Sequence, residues 1–554
     1  MKQKLKVGLL INSENLTDWA YKMISKINDS DYAEISLIIK NSQRKKKSIK
    51  NRLINNYNKV LYKLYRKFDN HFFSTNHNPF ERKKIDFLEN VDLIDVNPIR
   101  TKFRDTIADS DINKIDNYEL DVIIRLGFRI LSGKILKLPK FGIWSYHHGN
   151  NNLNRGGPPG FWEVIRGENE TGITLQILSE KLDGGIVIMR SFSKTNKISV
   201  KKNLANYYPN SISHLPNKLN ELFNDGEEKF FKKIDKINTH PFFYSRPLFV
   251  VPTNKELLYP LFRLSIRYII EKLKKLVYRD QWIILYNFNI KNEFVNTSLY
   301  NYKKILPPND RFWADPFVVQ YENKYYVFIE EYIYKKRKGT IAFFEINKNG
   351  SYTKPNVILE KEYHLSYPFI FEENDKIYMI PESKQNSSID LYEPKEFPFK
   401  WVKRITLINN IKAVDTTIIY HNKKYWLFCN VESDRGSSSS DKLHLFYSTD
   451  LISKNWTPHP KNPIVTDIKS SRPAGKIFKF KNKLYRPSQD CSKHYGYGLR
   501  INWINIMDEN NYHEIDINFI EPKWENKIKS VHTINFSNEL SVFDAQYRRF
   551  RSYF

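Results

Sequence analysis

Cysteine is nearly absent from this chain: among 554 residues only Cys429 and Cys491 occur. Two cysteines supply neither a disulfide framework nor a cysteine metal site, so no metal is expected. Long apolar runs are missing too. No stretch approaches the roughly 20 residues of a membrane-spanning helix. The basic start leads into Val7-Gly8-Leu9-Leu10-Ile11, which is too short for a signal peptide and gives way at once to polar residues. These absences make the cytoplasm the expected location. Acidic residues are scarce relative to basic ones, with 61 Asp and Glu against 89 Lys and Arg, a formal net charge of +28. Such a balance suits nucleic-acid binding, attraction to phosphorylated substrates or an anionic membrane, or lysines on solvated faces. Lysine is spread along the whole chain, and the densest cluster, Arg44-Lys45-Lys46-Lys47, is short. That distribution favours the solvated reading.

What is present is a globular composition, 41% hydrophobic and 15% aromatic, rich in residues that strands favour. The length exceeds one ordinary core. The chain divides into 1–245, a basic helical linker 246–280, and 281–554. In the first part Lys6–Asn12 reads as a buried strand, Leu16–Ile27 as a helix and Ile35–Ile39 as a second strand, the opening of an α/β domain with a parallel sheet. Residues 41–75 form a basic helical stretch. Leu120–Gly127 and Phe141–Tyr146 read as further strands, with Leu175–Leu178 and Gly185–Met189 as a strand pair. Over 254–278 apolar residues recur at helical spacing and the other face is basic. An interdomain helix suits this pattern, and a peripheral membrane-surface helix is the alternative.

After residue 280 an apolar strand, a polar turn and an aromatic strand recur. The copies begin at Trp313-Ala314-Asp315, Leu365-Ser366-Tyr367, Val414-Asp415-Thr416, Arg472-Pro473-Ala474 and, more weakly, Val531-His532-Thr533. Spacings of roughly 50 to 60 residues suit four-stranded blades, so an all-β five-bladed propeller is expected. Its first strands would bring Asp315, Tyr367, Asp415, Arg472 and His532 to one channel, as binding residues or as channel filling.

The stretch richest in chemistry runs Gly142-Ile143-Trp144-Ser145-Tyr146-His147-His148-Gly149, then Arg155-Gly156-Gly157, Gly167-Glu168, Thr171-Gly172-Ile173-Thr174 and Leu182-Asp183-Gly184-Gly185. A strand ending at Tyr146 delivers His147 to a polar loop, where ligand sites of open α/β sheets lie. A histidine there can act as base or proton donor near neutral pH.

This register resembles, without gaps, the formyltransferase family, which includes methionyl-tRNA formyltransferase and the sugar N-formyltransferases. That family has an Asn-x-His signature at a strand end, an Arg-Gly loop, a Thr-Gly-x-Thr segment and a Leu-Asp-x-Gly turn. The resemblance implies a Rossmann-like parallel sheet and N10-formyltetrahydrofolate as co-substrate. It implies His147, Asp183 and Ser145 as catalytic residues, and Arg125, Leu126, Gly127, His148 and Gly149 as cofactor-binding residues. Asp183 would orient His147. Ser145 stands where the family has Asn, replacing a two-donor amide by one hydroxyl. The domain is then an active transferase, or one with lost or altered activity.

Residues 281–554 resemble the N-terminal region of plant glucosamine inositolphosphorylceramide transferases, through Trp313-Ala314-Asp315-Pro316-Phe317, Ile380-Pro381-Glu382-Ser383 and Ser471-Arg472-Pro473-Ala474-Gly475. More distantly they look like five-bladed glycosidases, which would make Asp315, Asp415 and Glu382 carboxylates of interest, with Tyr367 and Arg472 as further substrate-binding candidates. The expectation is N-formylation of an amino sugar, nucleotide- or lipid-linked, in surface-polysaccharide assembly, with the propeller binding saccharide. The alternatives are a glycan-binding or glycan-processing protein, and a methionyl-tRNA formyltransferase-like enzyme. With no recognisable tRNA-binding tail, tRNA is the weaker partner.

Overall fold

The computed structural model describes residues 2–43, 57–101, 103–180, 184–239, 246–288, 299–432 and 438–551. Two compact units emerge, Met1–Tyr268 and Ile269–Phe554. Residues 246–268, read above as linker, lie within the first.

The first unit is built on seven strands: β1 (Leu5–Ile11), β2 (Ala33–Asn41), β3 (Leu93–Val96), β4 (Val122–Arg125), β5 (Ile143–His147), β6 (Glu170–Ile177) and β7 (Ile186–Lys194). Their order is β7-β6-β5-β4-β1-β2-β3. β1 to β5 run parallel, and β6 and β7 extend the edge antiparallel. The near-continuous apolar run of β1 is what a strand covered on both faces requires. The helices are α1 (Asp18–Asn28), α2 (Val60–Phe72), α3 (Asp109–Asp116), α4 (Phe161–Arg166), α5 (Val200–Tyr207), α6 (Ser211–Asp225), α7 (Glu227–Asn238) and α8 (Asn254–Val277), of which residues 254–268 belong to this unit. Side chains alternate along the strands. Val7, Leu9, Ile11, Ile124 and Trp144 pack against α1, α6 and α7. Leu10, Ile39, Ile123 and Ile143 meet Ile112 and Ile115 of α3 on the other face. Each such side chain contributes about 1.5–3 kcal/mol by leaving water. Of the basic stretch 41–75, α2 carries the helical part, and Arg44–Lys47 lie outside the described residues. Among the described residues no helix is long and apolar enough to cross a membrane.

The second unit holds five sheets of at least four strands. Four follow in chain order, with first strands at Arg311–Tyr321, Ser366–Glu373, Ala413–His421 and Arg472–Pro473. The remaining sheet joins both ends of the unit: Lys303–Ile305 and Tyr278–Asn287 pair with Leu540–Phe550 and Ile528–Ser537. The repeat has a local cause. Glu322-Asn323, Asn374-Asp375, Asn422-Lys423 and Lys481-Asn482 all have positive φ. These are the two-residue turns whose twist matches paired strands. Three first strands also bulge, placing Asp315, Tyr367 and Asp415 at φ of 50°, 43° and 52°. A bulge re-aims the side chain it carries. Hydrogen bonds then link these strands: Tyr367 N donates to Asp315, the Tyr367 hydroxyl pairs with Thr417 and accepts from Gly475 N, and Thr533 donates to Asp315. The arrangement is propeller-like.

Candidate active site and axial cluster

β1 and β4 are neighbours whose onward connections leave in opposite directions, so the sheet's switch point lies between their carboxyl ends. Arg125 ends β4, and His147 ends β5 beside it. Ser145 and Arg125 are register partners. The Arg125 Nη1 donates to Ser145 Oγ at 2.9 Å. Ser145 is buried and spends its hydroxyl holding this guanidinium. Side chains two apart on a strand share a face, so Arg125, Ser145 and His147 stand on one side of the sheet.

His147 is fixed by the loop that follows. Its Nε2 lies 2.7 Å from the Asn154 carbonyl. A carbonyl only accepts, so Nε2 carries the hydrogen and Nδ1 is the basic nitrogen. Gly149 makes room for this contact, because a Cβ there would sit 2.8 Å from His147 Nε2. Asn154 is itself held. Its amide donates to Glu168 at 3.2 Å, and Arg246 donates to its side-chain oxygen at 3.0 Å while pairing with Glu168. Phe249 bonds to Arg155 and Gly157 through its backbone, tying residues after the sheet onto the same loop. Glu163 is buried nearby, and burial raises its carboxyl from the ordinary 4.5 to about 7.

The other sequence-derived positions fall as follows. Leu126 N and Gly127 N both donate to Leu10 O, and Gly127 has its backbone so close to Ile11 and Asn12 that a Cβ would meet Asn12 N at 2.6 Å. These two backbone donors therefore serve strand packing. His148 stacks on Tyr208 at 3.9 Å and pairs with Ser211, and burial lowers its imidazole to about 3. It is a neutral packing group at physiological pH. Asp183 lies outside the described residues. Gln176 was not anticipated. It is register partner to Ser145, and its buried amide oxygen has no hydrogen-bond partner among the described residues. Asn154, Glu168 and Arg246 were also missed. The motif carried signals for the first two, in Asn154 beside Arg155-Gly156 and in the Gly167-Glu168 pair.

In the second unit Asp315, Tyr367, Glu382, Asp415 and Arg472 do come together. Arg472 grips Asp415 through Nε at 2.6 Å and Nη2 at 3.2 Å, and lies 3.7 Å from Glu382. Gln489 also donates to Asp415. Burial, with the charge of Asp415 added, holds Glu382 well above the carboxylate range. Burial raises Asp315 to about 6 even with His532 close by. Burial alone would lower His532, but the carboxylates of Asp544 and Asp315 outweigh it and raise its pKa. The ligand atoms of Asp315, His532 and Asp544 lie within 4.8 Å of one another, a metal-like spacing. Protein groups already use them. Asp544 accepts from His532 Nδ1 at 2.6 Å and from the backbone of Asp315, His532 and Thr533. The cluster is closed upon itself. Its more exposed neighbour is Tyr495, whose ring lies over the Arg472 guanidinium at 4.8 Å. Trp313 and Trp426 are buried in sheet packing.

Comparison with known proteins agrees with this division. Residues 295–543 match the family model for the N-terminal region of glucosamine inositolphosphorylceramide transferase 1. The Arabidopsis thaliana glucosamine inositolphosphorylceramide transferase 1 is 34% identical over 217 residues, covering 39% of this chain and 28% of that protein. Methionyl-tRNA formyltransferase of Prochlorococcus marinus is 38% identical over 77 residues, covering 14% of this chain and 23% of that protein. The chain thus spans between 23% and 28% of these relatives' own lengths. Glycinamide ribonucleotide transformylase 1 from Symbiobacterium toebii aligns over 41% of this chain and 92% of its own, with a TM-score of 0.27 and 13% identity. The chain joins a formyltransferase-like α/β unit to a propeller-like unit homologous to the N-terminal region of glucosamine inositolphosphorylceramide transferase 1.

Proposed function

We propose that the first unit transfers a formyl group from N10-formyltetrahydrofolate to the amine of an amino sugar, and that the second is a five-bladed propeller holding the saccharide. The observation that carries this is the row Arg125, Ser145, His147 at the sheet's switch point, in the register of the formyltransferases. The residues suit acyl transfer. His147 would take the amine's proton at Nδ1 as nitrogen bonds to the formyl carbon, and return it to the departing folate nitrogen. Arg125 would supply donors to the formyl oxygen as it gains negative charge, the work of an oxyanion hole. Ser145 would hold that guanidinium where the family keeps an amide.

The acceptor class draws on both sets of relatives. One set is named for formyl transfer, the other for moving glucosamine onto a lipid. Glucosamine carries a free amine, the nucleophile a formyltransferase requires. Tyr495 at the rim of the axial cluster suits stacking on a sugar ring. A cytoplasmic setting and a nucleotide- or lipid-linked acceptor complete the reading.

The test is calorimetric titration of the full chain with 5-formyltetrahydrofolate, followed by turnover of N10-formyltetrahydrofolate with a nucleotide-linked glucosamine. Micromolar binding, and turnover lost in His147→Ala, are expected. A folded protein that binds no reduced folate would overturn the reading and leave the propeller as the working half.

A further inference from the structure

We propose that α2 and the first half of α8 form a docking surface for an anionic lipid membrane. The inference stands apart from formyl transfer. The two helices start from one knot: Asn254 N donates to Asn58 O at 2.7 Å, the Asn254 side chain accepts from Leu61 N at 2.9 Å and donates to Tyr57 O at 2.8 Å. Their inward residues, Leu61, Tyr62 and Tyr65 from α2 and Leu257, Leu261 and Leu264 from α8, share one cluster with Phe161, Val164 and Ile165. Helices pinned at one end and packed on one cluster turn their other faces outward together.

Those outward faces are apolar. On α2, Val60, Leu64, Phe68 and Phe72 follow at every fourth residue, 42%, 59%, 52% and 66% exposed. The rings of Phe68 and Phe72 lie 4.3 Å apart, so the two aromatic members of the stripe pack on one another. On α8, Leu258, Tyr259 and Phe262 are each more than 60% exposed, and Ile266 follows one turn on. Soluble surfaces rarely leave so much contiguous apolar area uncovered without an occupant.

Charge identifies the occupant. Lys63 and Lys67 flank the stripe on α2, Lys255 and Arg263 flank that on α8, and all four are exposed. Between α8, α4 and residues 247–250 lies a recess of about 430 Å³ lined by Trp162, Arg166, Phe249, Glu256, Tyr259 and Arg263. Apolar side chains bordered by Lys and Arg are the make-up of helices that lie in a membrane interface, and anionic lipid adds attraction for each cation. A second copy of the chain fits less well, because a two-fold interface sets the same patch against itself and would oppose the same cations.

The test is co-sedimentation of the full chain with phosphatidylcholine vesicles, alone and mixed in equal parts with phosphatidylserine, for the natural chain and the double variant Phe68→Ser, Phe262→Ser. Both substituted residues are exposed, and an unchanged thermal midpoint verifies the variant's fold. Binding to the mixed vesicles only, weakened by salt and reduced about tenfold or more in the variant, is expected. Three results would overturn the proposal: no binding to mixed vesicles at low salt, binding that the two phenylalanines do not affect, or a dimer in solution that the double variant dissociates. The second would assign attraction to the general positive charge, and the third would assign the face to a second copy.

Discussion

At the scale of the residue, the proposed chemistry turns on Ser145 and its register partner Arg125. Serine at 145 looks like a loss when read alone, because a hydroxyl has fewer donors than an amide. Its register partner is an arginine whose guanidinium it holds at 2.9 Å. Arg125→Met should therefore lower kcat for formyl transfer by about 10²–10³, the effect of removing one oxyanion donor. KM for the folate should change little, and Ser145→Asn added to it should recover part of the rate. Steady-state kinetics on the three forms decides this, and an unaltered kcat in Arg125→Met would remove Arg125 from the chemistry. His147 was legible because a strand end and a glycine-rich loop flag a site. Its fixing by Asn154 was not, since a backbone carbonyl has no sequence signature. Glu163 gives a pH signature. Its carboxyl is neutral in the fold up to about pH 7 but ionises near 4.5 when unfolded. The unfolded state thus binds fewer protons between these values, and this group costs stability progressively as pH rises through that window. A shift of this size corresponds to roughly 3 kcal/mol at most. Glu163→Gln should flatten the fall, so that the variant gains on the natural protein above pH 7. Thermal midpoints measured across pH 5 to 8 check it, and parallel curves would refute it.

At the scale of the element, what could be read in advance followed from periodicity, and what could not came from contacts distant in sequence. The apolar run of β1 and the recurrent pairing of apolar and aromatic strands announce a buried parallel sheet and a set of four-stranded sheets. The bulges at Asp315, Tyr367 and Asp415 do not, because the residues look like ordinary strand members until φ is known. The turns were visible as polar pairs, while their backbone geometry was not. Asn482 sits at φ of 61° in one of them. Asn482→Val places a β-branched side chain in the left-handed region and should cost about 1–2 kcal/mol, whereas Asn482→Gly should be tolerated. Denaturant midpoints of the two variants make the comparison, and equal midpoints would mean the turn relaxes freely. The stretch after 245 misled for a related reason. A basic, helical pattern reads as a linker, yet Arg246 and Phe249 hold the loop that fixes His147. Only the fold brings them there.

At the scale of the whole molecule, each unit has its own core, and one sheet of the second pairs strands from both of its ends. Leu540–Phe550 pairs along its length with Tyr278–Asn287, from Tyr278 opposite Phe550 to Asn287 opposite Ser541. Asp544 lies in the middle of that seam. It is fully buried and accepts from three backbone N–H groups and from His532, whose ring stacks on Trp282 at 4.0 Å. Removing this carboxylate leaves a buried imidazole and three N–H groups without this acceptor. Losing one partner of a buried pair costs about 3–5 kcal/mol. Asp544→Ala should therefore weaken the whole second unit, since the strand it holds belongs to both ends. Hydrogen exchange read by mass spectrometry separates the outcomes. Faster exchange across all five sheets, with the amides of β1, β4 and β5 still protected, is expected. Loss confined to Ile528–Phe550 would instead show that the other sheets stand without the seam, as a row of sheets rather than a closed ring.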